Sequence, residues 1–221
     1  MDRLTTPNEE RLWMGLDQSL QGWSRSLELS GKEPEGHGYR VAEMSMIFAK
    51  KLGLSSEAIE DIVRGALLHD IGKLAIPDSV LHKPGRLDPA ERALIEQHPT
   101  LAKQLLEPIE ILRGAIEIPY CHHERWDGRG YPRGLEGEEI PLSARLFAIV
   151  DVWDVLSYDQ PYREAWPFDE VIAHLAAAAG SHFDPALVEP FLMVVSEISP
   201  RDIAVAREEP AMMTSLLRAA A

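Results

Sequence analysis

His69 and Asp70 stand side by side in the run His69-Asp70-Ile71-Gly72-Lys73, and the pair His122-His123 and then Asp151 follow further along the chain. Imidazole and carboxylate are the side chains that hold divalent transition metals. A soluble core has little use for so many ionisable groups unless they are paired or metal-bound. Neighbouring residues on a helix diverge by roughly 100°, so His69 and Asp70 can serve two adjacent ions or grip one from two sides. A carboxylate has two oxygens and can bridge two cations, whereas a neutral imidazole gives one nitrogen to one ion. Asp151 follows the apolar run Leu146–Val150, which would aim its carboxylate inward. The chemistry that this set predicts is hydrolysis of a phosphate ester at a multinuclear metal site.

The elements that must position these groups read as helices, because the apolar residues recur at three- and four-residue steps. Leu12, Leu16, Leu20, Trp23 and Leu27 mark a first helix from about Asn8 to Leu29. Others are expected at about 38–52, 55–70, 89–106 with a break near Pro99, 110–124, 142–157, 168–179 and 185–197. Asp88-Pro89-Ala90-Glu91 has the form of a capping box with proline at the first helical position. Segments 77–90 and 126–141 read as irregular, the second being rich in Gly, Pro and charge. Residues 199–221 read as a tail or short helix. The fold class is all-α: an N-terminal helix over 1–30, then a helical domain over 31–198.

Composition narrows the partners. The chain has 221 residues, 45% of them hydrophobic, enough for one sizeable core. Its formal net charge of −14 argues against a nucleic-acid duplex or an anionic membrane as main partner. An anionic small substrate remains compatible, because bound divalent cations reverse the local field. A single cysteine, Cys121, allows no internal disulfide and suits a reducing cytoplasm. No signal peptide or apolar span of about 18 residues is visible.

The ordered series Leu68-His69-Asp70-Ile71-Gly72-Lys73, Lys83-Pro84-Gly85, His98-Pro99, His122 through Pro132, Ile140-Pro141, Asp151, Pro161-Tyr162-Arg163 and His182-Phe183-Asp184-Pro185 resembles the HD-GYP family, a branch of the HD metal-dependent phosphohydrolases. The resemblance covers roughly residues 33–185. It implies an HD-domain helical bundle with a Gly/Pro-rich loop, and hydrolysis of cyclic di-GMP to pGpG and often on to GMP. It makes His37, His69, Asp70, His98, His122, His123 and Asp151 metal ligands, with Asp70 bridging and catalytic. Glu33 stands where some members carry a glutamate for a third ion. Four residues from His37 it would share a helical face, although Pro34 disfavours helical backbone at Glu33. Two or three divalent ions are therefore implied, iron or manganese by ligand type. Such ions lower the pKa of water towards neutrality and offset charge on phosphate. Lys73 resembles the lysine that contacts the scissile phosphate.

Substrate contacts are expected at Lys73, Lys83, Tyr131, Gln160 and Arg163. The loop around Gly130-Tyr131-Pro132 is also linked in the family to docking of GGDEF-type cyclase domains, here through residues 126–135. Trp126 and Tyr131 offer flat faces for a guanine, or packing. His182-Phe183-Asp184-Pro185 reads as a structural turn and helix start, and His82 and His174 as surface residues.

One departure stands out. Many members carry arginine where this chain has Gln160, and glutamine cannot supply that bidentate fork. That leaves open another cyclic dinucleotide or nucleotide as substrate, or a silent cyclic di-GMP-binding or cyclase-docking module. No receiver, PAS or other sensory segment is visible upstream, so the chain reads as a stand-alone enzyme or as part of a longer regulated protein. The apolar stripe of the first helix suits packing on its own domain, and also a stalk or homodimer contact.

Overall fold

The computed structural model describes residues 7–160 and 163–197, with side chains from Met14 onward. The expectations for residues 198–221, and for Pro161 and Tyr162, lie outside the described residues. Ten α-helices follow in chain order: α1 Pro7–Leu29, α2 His37–Lys51, α3 Ser56–Leu67, α4 Asp78–Leu81, α5 Pro89–Ile95, α6 His98–Leu106, α7 Glu117–Cys121, α8 Leu142–Ser157, α9 Phe168–Ala177 and α10 Pro185–Glu197. Short 3₁₀ turns fill several junctions, and the described residues contain isolated bridges but no β-strand. The all-α expectation therefore holds.

Local chemistry explains the helix ends. Ser55 caps α3 by accepting from the Ala58 amide, and Asp88 with Glu91 completes the capping box of α5 with Pro89 inside it. Asp184 accepts from the Ala186 amide at 2.9 Å and so starts α10. The break between α5 and α6 falls at 96–97, as the proline at position 99 requires.

Two expected helices are shorter than the periodicity implies. The one expected over 55–70 stops at Leu67, because Leu68 and Asp70 adopt φ near −109° and −103° with ψ near zero. The chain then tightens into a 3₁₀ turn over Ile71–Ala75. The helix expected over 110–124 is broken into 3₁₀ turns ahead of the five-residue α7. Pro119 inside α7 has no amide hydrogen to continue the ladder backward, and Ala115 in the preceding turn is pressed against Gly65 of α3. The segment expected to be irregular over 77–90 contains the short α4.

α8 is the central rod. Leu146, Phe147, Ile149 and Val150 are fully buried on it, packed among α2, α7, α9 and α10. α1 lies against α3 and the 71–75 turn, burying Leu20, Ser24 and Leu27. The expected stripe is thus rotated: Trp23 is 38% exposed, and Gln21 and Ser24 face inward instead. The 71–75 turn passes tightly against α6 at Gly72. A Cβ there would sit 2.0 Å from the His98 carbonyl oxygen.

Gly72→Ala should therefore destabilise the protein by about 1–3 kcal/mol through overpacking. Gly15→Ala, at an exposed position of α1 with nothing within 4 Å, should stabilise it by about 0.5–1 kcal/mol. Urea midpoints of both variants test this, and equal shifts would refute the crowding at Gly72.

Candidate metal centre

The end of α3, the start of α2, the start of α6, the end of α7 and the middle of α8 meet at one buried point. They bring His69-Asp70, His37, His98, His122-His123 and Asp151 together. Three overlapping donor sets result, each with its atoms within 4.8 Å of one another: Asp70 with His98, His122 and His123; His37 with His69 and Asp151; Glu33 with His69 and Asp70. Every residue expected as a metal ligand is in at least one set. Glu33 arrives by an unexpected route, from the turn ahead of α2 rather than from its helical face.

The imidazoles are fixed from behind. His69, His98 and His122 point Nδ1 at the carbonyls of Ala66, Ile95 and Ile118, at 2.8, 2.8 and 3.1 Å. His37 points Nδ1 at Asp154 Oδ2, 2.7 Å away. Carbonyls and carboxylates only accept, so each of these Nδ1 atoms carries a hydrogen, and in the neutral ring Nε2 is left to present its lone pair to the centre.

The consequence is a convergence of acceptors. His37 and His69 face each other through Nε2 at 3.4 Å, and His98 and His122 at 3.3 Å. Asp70 Oδ1 lies 3.1 Å from His98 Nε2, and Asp70 Oδ2 lies 3.2 Å from His69 Nε2. Asp70 Oδ1 and both oxygens of Glu33 are buried without a hydrogen-bond partner. Lone pairs facing lone pairs in an apolar core are unfavourable until a cation lies among them. The donor set therefore fits divalent metal ions.

The field is uneven. Burial alone would lower the pKa of His37, but Asp151 and Asp154 outweigh it and hold it well above its ordinary value. His69 is raised in the same sense, with burial overcome by Asp70 and Glu33. His122 and His123 go the other way: burial lowers both, and for His123 neighbouring His122 and His98 lower it further. Burial opposes ionisation of Asp70, yet Lys73 and His69 hold it well below the carboxylate range. Lys73 forms a close ion pair with Asp70 Oδ2 and is half-buried at the edge of the centre.

Among the expected substrate contacts, Tyr131 and Lys73 reach the centre. The Tyr131 ring stacks on His123 at 4.7 Å between centroids. Its loop is pinned by Glu124, whose buried carboxylate accepts from the amides of Arg133 and Leu135 at 2.8 and 3.0 Å. The Tyr131 amide donates to the His123 carbonyl at 3.1 Å. Gly130 makes that approach feasible, since a Cβ there would lie 2.4 Å from the Arg125 amide nitrogen. Trp126 instead faces the Arg145 guanidinium, and its amide donates to the His182 carbonyl. Lys83 is paired with Glu91 at 2.6 Å. Arg163 donates to the carbonyls of Val155 and Glu164, and Gln160 pairs with Arg163 through the main chain. The described contacts of Lys83, Gln160 and Arg163 thus lie within their own segments. His82 and His174 are exposed.

Sequence reasoning missed Asp154, Arg40 and Glu124. The first two were detectable, being three residues beyond Asp151 and His37 on their helices.

A family model described as HD domain matches residues 21–187. The chain is 42% identical over 178 residues to "Cyclic di-GMP phosphodiesterase response regulator RpfG" of Xanthomonas campestris pv. campestris, covering 79% of this chain and 47% of that protein. It is 39% identical over 171 residues to "3'3'-cGAMP-specific phosphodiesterase 2" of Vibrio cholerae, covering 76% and 33%. It is 38% identical over 174 residues to "Cyclic di-GMP phosphodiesterase" of Thermotoga maritima, covering 78% and 47%. The chain spans between a third and a half of the length of these relatives. Among solved structures, a cyclic GMP-AMP-specific phosphodiesterase of V. cholerae, V-cGAP3, superposes with a TM-score of 0.66 at 21% identity, over 90% of this chain and 52% of that one. Bd1817, an HDG"Y"P protein of Bdellovibrio bacteriovorus, does so with 0.62 at 21% identity, over 86% and 66%. Both show the shared fold.

Burial pushes the pKa of Glu33 up to about 7. A raised carboxyl stabilises the fold fully below its unfolded value of about 4.5, and that contribution is lost as pH rises through about 7. In chelator-treated protein, Glu33→Gln should therefore gain about 1–3 kcal/mol relative to wild type between pH 4.5 and pH 8. A stability difference independent of pH, in urea titrations across that range, would refute it.

Proposed function

The chain belongs to the HD domain family, and on that premise we propose that it is a metal-dependent phosphodiesterase that hydrolyses cyclic di-GMP to pGpG, GMP or both. The observation that carries the reading is the division of Asp70 between two donor sets, Oδ1 towards His98 and His122 and Oδ2 towards His69. His98, His122, His123 and Asp70 would hold one ion, and His37, His69, Asp151 and Asp70 another. Glu33, beside His69 and Asp70, would hold a third. Iron(II) or manganese(II) suits this mixture of imidazole and carboxylate. Divalent ions held there would lower the pKa of water and offset the charge on a phosphate.

The chain's own residues supply the rest. Lys73, already ion-paired with Asp70, would turn its ammonium to the scissile phosphate and offset the charge that develops in the transition state. Tyr131, stacked on His123, would present a phenol and an aromatic edge to the nucleotide. The hydrophobic wall of Phe147, in ring contact with His69 and His122, would exclude bulk water. Arg163 and Gln160 would border the substrate from the turn after α8. No helix among the described residues is long and apolar enough to cross a membrane, and the free Cys121 suits the reducing cytoplasm. Loop residues 126–135 would be the face open to a cyclase domain.

A second substrate has specific support. Gln160 stands where the family resemblance places an arginine in many members, and relatives of similar identity include one named as specific for 3'3'-cGAMP. We therefore propose cyclic dinucleotides as the class and cyclic di-GMP as its first member.

Protein loaded anaerobically with iron(II) or manganese(II) should release pGpG or GMP from cyclic di-GMP in chromatographic assays. Asp70→Ala should lose bound metal and at least about 10³-fold of the rate together. Turnover by the metal-replete variant would sink the bridging assignment. Gln160→Arg should lower the KM for cyclic di-GMP about 5- to 10-fold with little change in kcat, worth about 1 kcal/mol of ground-state binding. An unchanged KM would remove Gln160 as the source of altered preference.

A further inference from the structure

We infer that Asp154, gripped by Arg40, is a positioning residue that aims the His37 imidazole and so completes the donor set His37, His69 and Asp151. This rests on the reading of the centre as a metal site.

His69, His98 and His122 orient their rings locally, against carbonyls three or four residues back in the chain. His37 has no such recourse. It is the first residue of α2, its own amide uses the Pro34 carbonyl, and its Nδ1 is bound by Asp154, 117 residues away on α8. Asp154 is fully buried. Its Oδ1 accepts from Arg40 Nε at 2.6 Å, and its Oδ2 accepts from Arg40 Nη2 and His37 Nδ1, both at 2.7 Å.

Arg40 is itself held. It lies one turn beyond His37, its Nη1 donates to the Glu35 carbonyl at 3.0 Å, and its guanidinium stacks 4.0 Å above the Tyr158 ring. A bidentate fork fixes both carboxylate oxygens in one plane. That plane sets the direction in which Nδ1–H must point, and with it the direction of the Nε2 lone pair towards Asp151 and His69. α8 thus supplies two carboxylates one turn apart, Asp151 to the centre and Asp154 to its support. Arg40 also ties the Glu33-bearing turn to α8 through Glu35. Outer partners of this kind typically govern metal affinity by 10–100-fold.

The test is manganese(II) binding by the chelator-treated full chain, followed by the electron paramagnetic resonance of the free ion. Asp154→Asn should weaken one ion at least 10-fold and leave the others at wild-type affinity. The charge-balanced variant Arg40→Gln with Asp154→Asn, which leaves no unpaired buried guanidinium, should do the same. After His37→Gln, adding Asp154→Asn should cost nothing further, because Asp154 acts through His37. A purely structural role would weaken all ions alike or add to the His37 loss, and either result overturns the inference. Affinities unchanged in both variants overturn it as well. Wild-type protein that holds no manganese overturns the reading of the centre itself and this inference with it.

Discussion

Eight imidazole and carboxylate side chains, gathered in three overlapping donor sets at one buried centre, are the constraint on which the rest of this molecule depends. Four of the five imidazoles, His37, His69, His98 and His122, have an Nδ1 hydrogen committed behind them, so what converges in front is a set of ring nitrogens and carboxylate oxygens. Such an arrangement is costly in an apolar interior unless a cation compensates it. The surrounding fold supplies rigidity to hold the set. α8 is buried along most of its length, and the chain passes α6 at Gly72 with no room for a side chain. The catalytic prospects of the protein are thus tied to its packing.

The centre is not symmetrical. Asp151 and Asp154 beside His37, and Asp70 and Glu33 beside His69, outweigh burial and draw both imidazoles towards the cationic form. On the His122–His123 side burial dominates and disfavours the charged form of both rings. The second side is closed by an aromatic ring: Tyr131 lies over His123, held by a loop that Glu124 organises from beneath. That loop is also joined to the turn before α10, through Trp126 and Asp127 to the carbonyls of His182 and Ser181. The motif His182-Phe183-Asp184-Pro185 therefore works as a buttress. Asp184 both starts α10 and pairs with Arg145 of α8 at 2.6 Å.

Much of the fold and of the centre was legible before any coordinates. The spans of α8 and α10, the break ahead of Pro99 and the capping box at Asp88 follow from periodicity and short-range hydrogen bonding, which the sequence carries directly. The ligand types were equally plain, because a core rarely tolerates such groups without a reason. Errors arose where a long-range contact overrode local pattern. Trp23 fits an apolar stripe and yet faces solvent, since α1 docks through Ser24 and Gln21. The helix expected to His69-Asp70 ends early because the chain must tighten to pass α6.

By itself, then, the sequence determined which residues are available: the imidazoles and carboxylates, the helices that carry them, and the local carbonyls that orient His69, His98 and His122. Only the tertiary structure decided how His37 is aimed, how Glu33 reaches the centre from a turn, and that the Arg163 guanidinium rests on main-chain carbonyls. The physical reason is range. Helical periodicity and capping act over three or four residues, and sequence spacing encodes them. The partner of a side chain across two packed helices is fixed by the rotation of those helices about their axes, which depends on every contact in the core at once.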